Sequence, residues 1–116
     1  MNIEEFRTYC LSKKGTTEGF PFNEFVLVFK VMNKMFALTS IEEFESINLK
    51  CDPEIAINLR EQHPEITAGY HMDKKHWNTI SMNGSLSDDF ICKMIDDSYD
   101  LVVSKLTKTQ KNELAK

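Results

Sequence analysis

The sequence predicts an α+β fold, a two-layer sandwich in which an antiparallel sheet has its helices packed on one face. Three observations predict it. Apolar and polar residues alternate with period two in several short segments, which is typical of strands. A polar capping residue precedes an amphipathic segment at three places, which indicates three helices. The 116 residues, 41% hydrophobic and 28% charged, suffice for one core and one domain.

The first half of the chain begins with a helix and continues into a hairpin. Asn2, followed three positions later by a glutamate, resembles a capping box, and the helix is predicted to run to about Lys14. Residues 16–23 contain glycine and proline and are predicted to form a turn. Apolar runs at 25–32 and 35–39 predict two strands joined by a tight turn at Asn33-Lys34.

The second half alternates strands and helices. Residues 47–51 alternate apolar and polar side chains, and the Asp-Pro pair that follows starts a helix predicted over 53–62. The alternation resumes over 66–72 and again over 76–82, which predicts two further strands around a polar turn. Ser87 and two aspartates then begin a long last helix.

Cysteine usage and hydropathy predict a cytoplasmic protein without a membrane segment. Cys10, Cys51 and Cys92 are odd in number and far apart, with no C-x-x-C pair, so we expect reduced thiols rather than disulfides or a zinc site. The first residues are acidic, and no run approaches the ~20 apolar residues of a membrane span.

The charge distribution argues against a protein that coats nucleic acid without regard to site. The net charge is −4, whereas phosphate binding draws its affinity from clustered lysine and arginine.

The basic residues are enriched at the C-terminus. We therefore divide the chain into a domain over residues 1–106 and a basic, flexible tail over residues 107–116, which is either a phosphate contact or a solvated end.

The densest polar cluster lies at residues 69–78, which contain two histidines, two lysines and the only tryptophan. If the turn projects from the sheet, Lys74 and Lys75 contact phosphates while Trp77 or Tyr70 supplies a flat apolar surface. The alternative is a lysine-bearing hairpin turn with Trp77 packed in the core. Because neighbours on a strand face opposite sides, at least one of His76 and Trp77 is expected to be structural.

Several motifs occur in an order and spacing that resembles the MmcQ/YjbR family. They are PF at 21–22, KMFA at 34–37, INLKCDP at 47–53, GYHM at 69–72, KKHWNT at 74–79 and SYDLV at 98–102. The resemblance implies a CyaY-like fold, as in frataxin and the chaperones of type III secretion, and a DNA-binding role with a double-wing arrangement. Carried over to this chain, it gives the following candidate nucleic-acid-binding residues: Lys50, His71, Lys74, Lys75, His76, Trp77 and Asn78.

Catalytic and metal-binding motifs are absent from the sequence. There is no glycine-rich phosphate loop, nucleophile elbow or paired-carboxylate motif. His71 and His76 would face opposite sides of a continuous strand, and the aspartates of the last helix have the pattern of a solvated face. We therefore expect no catalysis, no cofactor and no metal.

Two functions from different classes are compatible with these features. The first is a monomeric DNA-binding domain that uses the Lys74-Lys75 turn and the adjacent strand. The second is a non-catalytic module that binds another protein through an exposed sheet face or helix edge. A large exposed apolar patch favours the protein partner, whereas a positive ridge at residues 69–78 favours the nucleic acid.

Overall fold

The computed structural model describes residues 1–116, which contain six strands and four helices. In chain order they are α1 (Ile3–Leu11), β1 (Thr16–Gly19), β2 (Val26–Val31), β3 (Lys34–Ser40), β4 (Ser46–Lys50), α2 (Pro53–Gln62), β5 (Ile66–Ala68), β6 (Trp77–Ser81), α3 (Asp88–Ser104) and α4 (Lys108–Ala115). The strands form one sheet in the order β1-β2-β3-β4-β6-β5, and every neighbouring pair is antiparallel. The predicted α+β class is confirmed.

The hairpin between β2 and β3 has its turn one residue earlier than predicted. Met32 and Asn33 both have positive φ, at 47° and 65°, and Lys34 pairs with Val31 as the first residue of β3. Two left-handed residues give the turn the twist that antiparallel strands need. Asparagine tolerates this backbone well, which explains why the turn includes Asn33.

The main core lies between the sheet and the helices on one of its faces, which confirms the predicted two-layer arrangement. The rings of Phe6 in α1 and Phe29 in β2 meet edge to face, with centroids 5.5 Å apart. Phe36 in β3 and Tyr99 in α3 form a second such pair at 5.4 Å. The buried hydroxyl of Ser98 donates to the carbonyl oxygen of Phe36 at 2.6 Å, so α3 is fixed to the sheet by polar as well as apolar contacts.

A smaller apolar cluster lies on the opposite, helix-free face of the sheet. Val28, Leu38 and Trp77 are buried there together. Residues 70–72 lie over this face, and Met72 packs against the cluster. The helix-free face is therefore covered by a connecting segment rather than by a helix.

The ends of β2, β3, β4 and β6 differ from the sequence prediction by one residue, and three differences are larger. The first helix ends at Leu11, three residues before the predicted end at Lys14, and residues 16–19 form strand β1 rather than part of a turn. Strand β1 has no large apolar side chain. It is an edge strand, and backbone pairing with β2 holds it in place. The strand predicted over 66–72 stops at Ala68, where the chain turns to cover the helix-free face.

Residues 107–116, which the sequence predicted as a basic, flexible tail, contain helix α4. Thr107 and Gln110 form a capping box at its start. The side chain of Leu114 lies over Gly15, and the Lys14 ammonium donates to the carbonyl oxygen of Ala115 at 3.1 Å. The boundary at residue 106 stays a prediction. None of the four helices has the length and apolarity needed to cross a bilayer.

Candidate functional site

The predicted site residues on the strands do not share one environment. Lys50 and Trp77 are partners in the β4–β6 register, and both belong to the helix-free face. Trp77 is only 6% exposed, because its ring packs against Val28 and Leu38. The structure therefore places Trp77 in the core, as the structural alternative expected, while Lys50 remains half-buried beside it.

Asn78 is buried on the helix side of the sheet, where it joins α2 to β6. Its Oδ1 accepts a 2.7 Å hydrogen bond from Nε of Arg60, and its Nδ2 lies 3.5 Å from the carbonyl oxygen of Ala56. A ligand on the helix-free face has no access to this side chain. Asn78 fixes the strand that follows the lysine turn.

The turn before β6 is organised by Asp73. Its Oδ1 accepts a hydrogen bond from the backbone N–H of Lys75 at 3.0 Å, and its Oδ2 lies 2.7 Å from Nδ1 of His76. The hydrogen bond with His76, supported by the Lys75 amide, lowers the pKa of the Asp73 carboxyl below its usual value. The backbone N–H of Trp77 donates to the Asp73 carbonyl oxygen at 3.0 Å, which closes one helical turn.

The two lysines of this turn are exposed but differ in their partners. The Lys74 ammonium donates to the carbonyl oxygen of Gly69 at 3.0 Å, so it is drawn back along the segment. The Lys75 ammonium has no hydrogen-bond or ion-pair partner. On the inner side, Nη2 of Arg60 donates to the carbonyl oxygen of Lys74. The turn is thus anchored from inside while its charges face solvent.

Tyr70 and His71 form an exposed ring pair next to the lysine turn. Their ring centroids are 4.0 Å apart, and Tyr70 is 68% exposed. His71 has a left-handed backbone with φ of 59°, which redirects the chain at this point. The backbone N–H of Tyr70 donates to Oγ1 of Thr79 at 2.9 Å, so the pair is fixed to the sheet.

A groove of about 490 Å³ runs across the helix-free face from this ring pair to the loop before β2. Phe22, 61% exposed, stands at the far end, and Val26 and Leu38 line the floor. Asn48 supplies an amide in the groove, and its Oδ1 accepts from the Thr79 hydroxyl at 2.5 Å. Phe22 and Asn48 are not among the residues predicted from the sequence, although the outward position of Asn48 in its strand was a usable signal.

Charge is distributed unequally between the two sides of the sheet. Among the strand residues that face away from the helices, Lys30 and Lys50 are charged and none is acidic. Helices α1, α2 and α3 carry three bases, Arg7, Arg60 and Lys93, against nine acids: Glu4, Glu5, Glu54, Glu61, Asp88, Asp89, Asp96, Asp97 and Asp100. An anionic ligand therefore meets a more favourable potential on the helix-free face.

Lys50, Trp77 and His71 lie on the helix-free face, whereas Lys74, Lys75 and His76 lie in the turn before β6.

Comparisons with known proteins place the chain in a family. A family model described as YjbR matches residues 11–101. The chain belongs to the YjbR family. This confirms the resemblance inferred from the motifs at positions 69–79 and 98–102. The YjbR match covers the whole sheet and most of α3.

Relatives of the YjbR family match over nearly the full chain. Uncharacterized protein YjbR of Escherichia coli (strain K12) is 32% identical over 115 residues, which are 98% of each chain. Uncharacterized protein YyaQ of Bacillus subtilis (strain 168) is 28% identical over 113 residues, or 84% of this chain and 95% of the relative. The Escherichia coli relative supports membership of the YjbR family, and the names of both relatives state no activity.

Solved structures agree with the fold described for this YjbR domain. The crystal structure of Deinococcus radiodurans protein DR2400, family-model domain DUF419, has a TM-score of 0.90 and 37% identity, covering 98% of this chain and 88% of that one. A crystal structure of a Pseudomonas syringae protein has a TM-score of 0.73 and 33% identity, covering 87% and 98%. The CyaY-like comparison implied by the resemblance stays a prediction.

Proposed function

We propose that this YjbR-family domain binds DNA, without catalysis, through a face that we call the lysine–aromatic face: Lys50, Tyr70, His71, Lys74 and Lys75. The observation that carries the proposal is the exposed Tyr70–His71 ring pair next to the turn that bears Lys74 and Lys75, both exposed, with the Lys74 ammonium 3.0 Å from the Gly69 carbonyl oxygen. Ammonium groups contact phosphates, and flat exposed rings stack on bases.

The candidate residues divide between contact and support within this proposal. Lys75 has a free ammonium, and Lys74 exchanges one neutral carbonyl partner for a phosphate at modest cost. Trp77 and Asn78 act by holding the turn in place, because both are buried. His76 also supports the turn, since its ring is hydrogen-bonded to the Asp73 carboxylate. Tyr70 therefore takes the stacking role that the sequence left open between Tyr70 and Trp77.

The proportions of the groove favour single-stranded over duplex DNA. An unpaired base can enter the space between Phe22 and Tyr70 and meet the amide of Asn48 on its edge, whereas a stacked base pair offers its face to neither ring. Few phosphate contacts are available and the net charge is −4, so we expect dissociation constants of roughly micromolar or weaker at physiological salt.

Fluorescence anisotropy with labelled single-stranded and duplex DNA, at low and at physiological salt, tests the proposal. The variant Lys74→Glu/Lys75→Glu should lose binding, whereas Lys74→Ala/Lys75→Ala should bind more weakly and with a salt dependence reduced by roughly one contact per lysine. The charge-matched control is Lys108→Glu/Lys111→Glu in α4. Loss of affinity in the α4 variant alone would move the site to the C-terminus, and absence of binding at low salt would reject the DNA role.

A second candidate function, binding of another protein, is favoured by the exposed apolar residues at one end of the sheet. Phe20, Phe22 and Phe25 are all exposed in the loop before β2, and Ile41 lies close by, since its N–H donates to the Phe25 carbonyl at 2.9 Å. Grouped exposed aromatic side chains are typical of protein interaction sites. Phe20→Ser/Phe25→Ser separates the two functions: neither side chain lines the groove between Phe22 and Tyr70, so the change should abolish protein binding and leave DNA binding.

A further inference from the structure

A second groove, of about 470 Å³, lies on the helix side of the sheet between α2 and α3. α2 packs against β5, whereas α3 packs against β2, β3 and β4, so part of the sheet between them is left uncovered. Leu49, Ile80 and Met94 are buried at this groove, and Leu59 and Leu101 are half-buried along it. We call it the α2–α3 groove.

The rim of the α2–α3 groove is acidic. Three aspartates line it, and the Lys93 ammonium is held by both carboxylate oxygens of Asp97, at 2.9 and 3.1 Å. Asp100 has no such cation, and Asp52 accepts only backbone N–H groups at the start of α2. Lys50 also lines the groove at the level of its strand, but the alternation of β4 assigns its side chain to the helix-free face.

Two further observations show an unpartnered apolar surface in a negative field. Ile55 stands at the edge of the groove and is 54% exposed. The thiol of Cys51, which also lines the groove, has its pKa raised to about 11, first by burial and then by the negative charges of Asp52 and Asp97. A cation near this thiol is favoured for the same electrostatic reason.

We propose that the α2–α3 groove docks a basic amphipathic helix of a partner protein. Its apolar residues enter the groove over Ile55, Met94 and Leu101, and its lysines or arginines pair with Asp52 and Asp100. The charge complementarity of the rim selects a basic partner. This site is on the opposite side of the sheet from the lysine–aromatic face, so it does not rest on the proposed DNA function.

The walls of the groove explain why the occupant is a helix. Two helices bound it, and their backbone groups are already paired, either within each helix or, at the start of α2, with the Asp52 side chain. An extended segment would bury its own unpaired backbone groups against apolar side chains, which is costly. A helix satisfies its backbone internally and presents apolar side chains at i, i+3, i+4 and i+7, the pattern used by helices that lie in grooves.

A designed peptide tests the proposal with the full chain. The probe is a fluorescein-labelled, amidated helix of about 18 residues, or about five turns, with leucines at i, i+3, i+4 and i+7 and lysines elsewhere. Its control replaces every lysine with glutamate. Anisotropy should show binding of the lysine peptide only, and amide NMR shifts should move at Ile55, Met94 and Leu101. Equal binding of the glutamate peptide, or shifts confined to the helix-free face, would overturn the proposal.

Matched variants separate the groove from general attraction to an acidic surface. Ile55→Ser and Asp100→Lys should each raise the dissociation constant about tenfold, whereas Ile57→Ser and Glu61→Lys, equally exposed positions of α2 outside the groove, should leave it unchanged. Lys74→Glu/Lys75→Glu should also keep peptide binding. Equal losses in both sets would reject the site. If sedimentation shows a dimer that Asp100→Lys dissociates, the occupant of the groove is a second copy of the chain, and the proposal of a partner protein is wrong.

Discussion

The guanidinium of Arg60 donates from Nε to Oδ1 of Asn78 at 2.7 Å and so connects α2 to β6. The same side chain donates from Nη2 to the carbonyl oxygen of Lys74. One arginine thus holds both a buried strand residue and the turn that carries the two exposed lysines. The lysine–aromatic face is thus anchored to a helix and a strand, although all of its residues except Lys50 lie in a loop.

Arg60→Ala should destabilise the domain by about 1–3 kcal/mol, because it leaves the buried Asn78 amide oxygen without its donor. Urea unfolding followed by far-UV circular dichroism measures the change. The control is Asn58→Ala, an exposed position of the same helix, which should change the free energy of unfolding by less than about 0.5 kcal/mol. Equal stability of the two variants would show that the Arg60 contacts are not formed in solution.

Trp77→Ala should be among the most destabilising single changes in the chain, costing about 3–5 kcal/mol, since the ring is packed with Val28 and Leu38. Tyr70→Ala, seven residues earlier and mostly exposed, should cost less than about 0.5 kcal/mol. Thermal and urea unfolding of both variants make the comparison. A Trp77→Ala protein as stable as the parent would return Trp77 to the list of ligand-contacting residues.

Gly69→Ala should destabilise the domain by about 1–3 kcal/mol through overpacking. An added Cβ would lie 2.8 Å from Cβ of Trp77 and 3.0 Å from its carbonyl oxygen, and neither atom is at the free end of a side chain. Gly19→Ala is the matched control, because an added Cβ there meets nothing within 4 Å. If unfolding experiments show the same stability for both variants, the chain does not approach β6 this closely at Gly69.

The carboxyl of Asp73 should titrate below its usual range, and His76→Ala should raise its pKa, because the imidazole hydrogen bond is the main cause of the lowering. Since the folded-state pKa is the lower one, this contact stabilises the fold above the unfolded pKa and is lost as pH falls through the folded value. NMR titration of side-chain carboxyl carbons measures it. Glu18, whose pKa is lowered by Arg7, is the internal control and should not move.

Local sequence signals located most elements of this fold. The helix predicted over 53–62 from Asp52 and Pro53 is observed over Pro53–Gln62, because an N-cap aspartate and an N1 proline act within one turn. The last helix likewise begins after Ser87. Strand β1 was missed because Thr16–Gly19 has no apolar alternation, and its backbone partner is supplied by β2, which lies later in the chain.

The candidate site was predicted less completely than the fold. The segment at 69–78 was singled out from its composition, and in the structure Tyr70, Lys74 and Lys75 of this segment are exposed. The composition of this segment could not show which residues contact a ligand and which support the fold. That depends on burial, since Trp77 is buried and Lys75 is exposed. Phe22 reaches the same groove from a distant loop, which only the folding of the chain over the sheet makes possible.

The sequence by itself determined the α+β class, the family and the starts of helices α1, α2 and α3, because these depend on residues that are neighbours in the chain. Only the tertiary structure decided which side of the sheet is covered by helices, which charges remain free and where the two grooves lie. Those properties depend on the packing of residues far apart in sequence, and desolvation by that packing decides whether a polar side chain supports the fold or faces a ligand.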